Sequence, residues 1–208
     1  MARSNRLEYE PGRQPILPMS LPRVILASAS PRRAELLREI VAEFDVVPGH
    51  ADEIQPEHLS PTEACMLNAY RKARVIAKKF PDALVIGADT EVVLNQRVFG
   101  KPRHRSEAAE MLTDLAGKEH RVITGVCMVH LRRHRQRTFA DATCVIFKAL
   151  GPDDIAAYLK QIDPLDKAGA YAIQQHGDLI VERIKGSFSN VVGLPVERLR
   201  KALAQFGN

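Results

Sequence analysis

The chain has 208 residues, 45% apolar and 26% charged, so it is able to bury a core and is unlike a disordered, fibrous or many-unit repeat chain. Its 30 lysines and arginines against 25 acids leave a formal charge of +5, which fits either a polyanionic partner or simple solubility. Cys65, Cys127 and Cys144 form no CxxC pair, which argues against a zinc knuckle or redox motif and predicts reduced, at least partly buried thiols, as in a cytoplasmic protein.

No apolar run approaches the roughly 18 residues of a membrane span. Residues 1–20 are too polar and proline-broken for the apolar region of a signal peptide. Residues 1–22 are expected to be a disordered tail and 23–208 a single domain. From Arg23 onward, short β-branched runs alternate with segments of helical period, the pattern of an α/β layered fold. Val24 to Ala27 predicts a strand. Ser28-Ala29-Ser30-Pro31 then supplies hydroxyl caps and a first-turn proline for a helix with Leu36, Leu37, Ile40 and Val41 on one face.

Phe44 to Val47 predicts a short strand and Asp52-Glu53 a loop. Ser60-Pro61-Thr62-Glu63 is a capping box that opens a helix to about Lys79. Ala83 to Ala88 is apolar without alternation and predicts a central strand buried on both faces, with Asp89 at its C-terminal end. Glu91 to Phe99 reads as a hairpin turning at Asn95-Gln96, and Ser106 to Leu115 as a helix closed by Gly117. His120 to Leu131 and Thr138 to Phe147 predict two long strands joined by a basic tip, Arg132 to Arg137. A helix over Pro152 to Ile162, a strand over Leu179 to Ile184 and a closing helix over Pro195 to Phe206 complete the chain.

Neither GxGxxG nor GxxxxGK[ST] occurs, so a dinucleotide fingerprint and a P-loop are unsupported. Ser28-Ala29-Ser30-Pro31-Arg32-Arg33, between a strand and a helix, offers hydroxyls, free amides and two guanidinium groups: a phosphate cradle without glycines. The same run also reads as a capped helix with two surface arginines. Asp89, at the carboxyl end of a buried strand, stands where ligands gather in open α/β sheets. With Asp52 and Glu53 it supplies the carboxylates that Mg²⁺ favours beside substrate phosphates, although on spacing alone an ordinary solvated loop explains Asp52-Glu53 better. Lys72 falls within the long helix, and Lys101 and Lys167 stand at turns that can bring an ammonium to a phosphate, although single lysines are usually just solvated. His130 and His134, four apart, fall in a hairpin rather than a helix, so no zinc site is expected.

In this order the blocks resemble the Maf family of nucleoside triphosphate pyrophosphatases. They are Leu26 to Arg33, Asp52-Glu53, Lys72-Ala73, Gly87-Ala88-Asp89-Thr90, Gly100-Lys101-Pro102, Val122 to Gly125, Asp166 to Gln174 and Asn190 to Pro195, spanning about residues 23 to 205. The resemblance implies a mixed twisted sheet flanked by helices, in two lobes around a nucleotide-binding cleft. It also implies Mg²⁺- or Mn²⁺-dependent cleavage of a nucleoside triphosphate between its α and β phosphates. By the same resemblance Asp89 is the proton acceptor, with Asp52, Glu53 and Asp89 at the metal. Ser28, Ser30, Arg33, Lys72, Lys101 and Lys167 are phosphate ligands, and Arg32, Thr90 and Gln174 set base specificity.

The Asp166 to Gln174 run resembles the branch acting on dTTP and UTP, and a glutamine amide pairs with the donor and acceptor edge of uracil or thymine. The same reaction on 7-methyl-GTP is the alternative within the family, and a homodimer is expected from it. A nucleic-acid-binding module on Arg132 to Arg137 is the alternative of another class. It lacks interleaved aromatics for base stacking, so no nucleic-acid partner is expected. Without the four arginines of that tip the charges nearly balance, 26 basic against 25 acidic residues.

Overall fold

Val24, Ile25 and Leu26 are all buried and form β1 (Val24–Leu26), covered on both faces as an unbroken apolar run requires. The computed structural model describes residues 21–206, so all but the last two residues of the tail expected over 1–22 lie outside the described residues. Helix α1 (Pro31–Arg38) follows with proline in its first turn. Ile40 and Val41 are buried as expected, just past the helix rather than within it. The edge strand β2 (Asp45–Val46) is only two residues long and exposed.

Helix α2 (Pro61–Lys79) opens on the expected capping box: Ser60 Oγ accepts from the Glu63 amide and the Glu63 carboxylate accepts from the Ser60 amide. The central strand β3 (Leu84–Leu94) is longer than predicted and runs straight through Asp89. Its parallel pairing with β1 ends at Leu26–Ile86, while its far end pairs antiparallel with β4 (Arg97–Phe99). Asp89 therefore lies beyond the carboxyl end of β1 but in mid-strand on β3. The turn between β3 and β4 holds Asn95 at φ 49° and Gln96 at φ 71°, the pair of left-handed residues that a tight two-residue hairpin needs.

Helix α3 (Arg105–Leu115) leads to β5 (Glu119–His130) and β6 (Arg135–Phe147), then α4 (Pro152–Leu159) and a single 3₁₀ turn, Ala168–Ala170. The basic tip is shorter than predicted, because Arg135 and Arg137 already belong to β6. Helix α5 (Gly177–Ile180) replaces the first half of the strand expected over Leu179 to Ile184, and β7 (Val181–Lys185) takes the rest. Helices α6 (Phe188–Val192) and α7 (Val196–Phe206) close the chain.

Seven strands form one mixed sheet in the order β2-β1-β3-β5-β6-β7, with β4 beside β3. Two compact units share the chain: one holds the described residues up to Thr90, Ile123–Ala142 and those from Ser189 on, the other Glu91–Val122 with Thr143–Phe188. In the first unit Ala69, Ala73, Ile76 and Ala77 of α2 pack on Ile25, Ala27, Val85, Cys127 and Val129 of the sheet.

The helix sits unusually close to the strands. A Cβ on Gly87 would lie 2.4 Å from the Ala69 carbonyl oxygen, and one on Gly125 would lie 2.5 Å from the Cys65 carbonyl. No side chain fits there, so glycine on β3 and β5 sets the height of α2 above the sheet. In the second unit α3 packs against α4, and the Arg105 guanidinium donates to the Leu159 carbonyl at 2.7 Å, satisfying the end of α4.

Candidate active site

The close seat of α2 brings two of its side chains to β3. Asn68 and Lys72, one turn apart on the same face, both reach Asp89. Lys72 Nζ stands 2.6 Å from Asp89 Oδ1 and 2.7 Å from Glu53 Oε1, and Asn68 Nδ2 donates to Asp89 Oδ2 at 3.3 Å. The side chains of Asp89 and Lys72 are 6% and 12% exposed, whereas that of Glu53 is 53% exposed. Asn68 also fixes the loop that delivers Glu53: its amide donates to the Ile54 carbonyl and its oxygen accepts from the Ile54 N–H, each at 3.0 Å.

A second network surrounds Arg33. Its Nε donates to the Gly193 carbonyl (2.9 Å), one terminal nitrogen to the Ala88 carbonyl (3.0 Å) and Ser28 Oγ (3.4 Å), and the other to Thr90 Oγ1 (2.9 Å). Thr90 and Thr124 hydroxyls lie 3.0 Å apart, and Thr124 Oγ1 donates to the Asn190 carbonyl at 3.0 Å. The carbonyl accepts only, so Thr124 spends its one proton there. Thr90 must therefore donate to Thr124 and accept from Arg33. Burial pushes Arg33 below the ordinary guanidinium range, and the charges of Asp89 and Glu53 oppose that shift.

Several expected residues are placed elsewhere. Ser30 occupies the cap position of α1 but its side chain makes no cap bond. Its amide instead donates to the buried Ser28 Oγ at 3.2 Å, so the expected Ser30 cap is replaced by a local Ser28 turn. Asp52 and Glu53 are neighbours in a segment without regular secondary structure and diverge: Glu53 reaches Lys72, while Asp52 lines a separate groove with His50, Tyr70 and Arg74. Arg32 is partly exposed on α1.

Lys101, Lys167 and Gln174 belong to the other unit. The Lys167 side chain is 6% exposed, and its ammonium is bound to the Asp166 carboxylate and the Asp163 carbonyl, each at 2.5 Å. Its loop meets the Lys101 loop where the Gly169 amide donates to the Gly100 carbonyl at 3.0 Å. Lys101 and Gln174 are exposed. Tyr158 pins the run before Gln174, its hydroxyl accepting from the Ala172 amide at 3.0 Å and donating to the same residue's carbonyl at 3.3 Å.

The basic hairpin tip is largely tied down by its own unit. Arg132 pairs with Asp82 at 2.9 Å, Arg137 bonds the Gln205 side chain, and Arg135 donates to the Gln205 carbonyl at 3.2 Å while stacking on Phe206. The three cysteines are free, Cys65 and Cys127 buried and Cys144 partly so. Burial pushes the Cys127 thiol up to about 11, a packing residue rather than a nucleophile.

Sequence reasoning missed Asn68, Thr124 and Asn190. Asn68 was discoverable, four residues before Lys72 on one helix face. Thr124 meets Thr90, and Asn190 meets Thr124, only through tertiary folding.

These features define an α/β protein with a buried carboxylate, an ammonium and a guanidinium gathered around Ala88-Asp89-Thr90, a set suited to a phosphate-bearing ligand. A profile described as Maf-like protein matches residues 23–206. The chain belongs to the Maf family. It is 46% identical to the dTTP/UTP pyrophosphatase of Moorella thermoacetica, covering 89% of this chain and 95% of that one. It is 43% identical to the enzyme of the same description from Syntrophus aciditrophicus, with 89% and 91% covered. The fold is shared with the Staphylococcus aureus Ham1 protein, with a TM-score of 0.52 at 16% identity over 88% of this chain and 99% of that one. Among the described residues no helix is long and apolar enough to cross a membrane.

Proposed function

We propose that this protein is a nucleoside triphosphate pyrophosphatase that hydrolyses dTTP and UTP to the monophosphate and pyrophosphate. The relatives of that description at 43–46% identity over nearly the whole chain support it. The structural observation that carries it is Asp89, a buried carboxylate oriented by Asn68 and Lys72. In this reading a water oxygen attacks the α-phosphorus, its proton passes to Asp89, and the bond to the oxygen bridging α and β phosphorus breaks to release pyrophosphate. Lys72 holds the Asp89 carboxylate in place through their ion pair, and the fixed charge of Arg33 favours the polyphosphate. Ser28 and Ser30 are the hydroxyl phosphate ligands.

The donor set also fits a divalent ion. Two carboxylate oxygens, from Glu53 and Asp89, converge on a single cation, the Lys72 ammonium, and hard oxygen donors of this kind suit Mg²⁺ or Mn²⁺. Bound there, such an ion supplies charge neutralisation on the phosphates. Of the adjacent pair, Glu53 is the better candidate than Asp52. Arg32, Thr90 and Gln174 as specificity residues, and Lys101 and Lys167 as phosphate ligands, carry the roles the resemblance implies. With the hydroxyl proton of Thr90 committed to Thr124, Thr90 acts through Arg33. Residues 23–208 acting as one catalytic domain, a homodimer and a cytoplasmic location complete the proposal.

Pyrophosphate release from dTTP, UTP, CTP and 7-methyl-GTP, each with and without Mg²⁺, tests it. The expected result is metal-dependent turnover highest on dTTP and UTP; preference for 7-methyl-GTP overturns the pyrimidine assignment.

A further inference from the structure

While Lys72 turns toward Asp89, Arg71, Arg74 and Lys78 of the same helix align along another face, three and four residues apart. Together with His50, Asp52 and Tyr70 they line an open groove of about 540 Å³, the size of an ordinary small-molecule site. Some basic side chains elsewhere are matched by acids, as Arg23 is with Asp45, Arg97 with Asp114, Arg103 with Glu107 and Arg132 with Asp82. In the groove, the side chains of Arg71, Arg74 and Lys78 make no hydrogen bond or ion pair among the described residues. Arg74 only stacks on the Tyr70 ring, at 5.9 Å. The Arg71 Nε is buried with no hydrogen-bond partner. A buried charged donor left without an acceptor is costly, and native structures rarely keep one unless a ligand or water supplies it.

We propose that this groove is a second binding site, for the phosphate group of a small hydroxylated molecule, separate from the Asp89 cluster. The two guanidinium forks match phosphate oxygens and Lys78 adds a point charge. Asp52, the one carboxylate in the lining, disfavours a bare anion and accepts from a hydroxyl next to the phosphate. That combination selects a sugar phosphate over the free ion. The site does not depend on the pyrophosphatase reading, because Asp89, Lys72 and Arg33 are not part of its lining.

The test is to follow the His50 imidazole resonances of the full chain by NMR at constant ionic strength, titrating ribose 5-phosphate, inorganic phosphate or ribose. A saturable shift with ribose 5-phosphate and none with ribose is expected, weakened at least about tenfold in Arg74→Glu, a variant whose nucleotide hydrolysis stays at the wild-type rate. Equal affinity for inorganic phosphate, with the same loss in Arg74→Glu, keeps the phosphate site and makes the free ion its ligand. No saturable shift, or one that survives Arg74→Glu, overturns the proposal. Because the readout is binding at His50, it stands or falls apart from any result on triphosphate hydrolysis.

Discussion

Lys72 and Asp89 form an ion pair at 2.6 Å that is almost wholly removed from water. A pair in that position is costly to break from one side, because the survivor stays buried and uncompensated. Lys72→Met strands the Asp89 carboxylate and is expected to lower stability by about 3–5 kcal/mol in urea unfolding. Asp89→Asn keeps the shape and leaves Lys72 its bond to Glu53. It should fold normally, yet lose about 10²–10⁴-fold in turnover, the usual worth of a positioned base. Near-normal pyrophosphate release by Asp89→Asn excludes Asp89 as the proton acceptor.

Arg33 uses a planar fork to join α1, β3 and the turn at Gly193, and an ammonium cannot copy that geometry. Arg33→Lys is expected to cost at least about 2 kcal/mol, since acceptors now met by several charged hydrogen bonds are left short. Turnover should fall with it. Equal urea midpoints for Arg33→Lys and wild type would count against the clamp.

The seat of α2 is testable by adding one carbon. Gly87→Ala pushes a methyl against helix backbone and should cost about 3 kcal/mol, the upper range for overpacking. Displacing α2 also moves Asn68 and Lys72 from Asp89, so activity should drop more than stability alone explains. A Cβ on Gly100 meets nothing within 4 Å, so Gly100→Ala serves as the control and should stay within about 0.5 kcal/mol of wild type.

His120 makes the fold acid-sensitive. It is 2% exposed, its Nε2 lies 3.0 Å from the Tyr171 hydroxyl, and its ring packs edge-on to Phe147 and Tyr171. Burial lowers its pKa from 6.5 to about 4. The unfolded chain therefore binds a proton that the folded chain refuses between those values. This contribution to stability is intact above about pH 6.5 and is lost as pH falls toward 4, by about 3 kcal/mol in all. His120→Gln preserves a partner for Tyr171 without titrating. The difference in urea midpoint between wild type and this variant should change across pH 7.5 to 4.5, and a constant difference would falsify the assignment.

Local chemistry made much of the fold readable. The Ser60–Glu63 box, the Asn95-Gln96 turn and the apolar run before Asp89 each signal through neighbours in sequence. What was hidden depended on distant partners. β3 continues past Asp89 because β4 returns to pair with it, and Arg135 and Arg137 join β6 because strand pairing outruns their polar composition. Helices α5 and α6 are four and five residues long, too short to show a period. At the candidate site the residue types around Asp89 were legible, but the divergence of Asp52 from Glu53 was not. That depends on Asn68 gripping Ile54 on both its amide and its carbonyl.

The company Arg33 keeps has one more consequence. Two carbonyls and two hydroxyls surround it, and none of its hydrogen bonds goes to a carboxylate. Its positive charge is solvated by dipoles, as water would solvate it, and feels the Asp89 and Glu53 charges without bonding to either. The Thr90–Thr124–Asn190 relay turns the Thr90 oxygen toward the guanidinium and its proton away. The protein thus carries a private hydration shell for one cation, already ordered, built from its own backbone and hydroxyls.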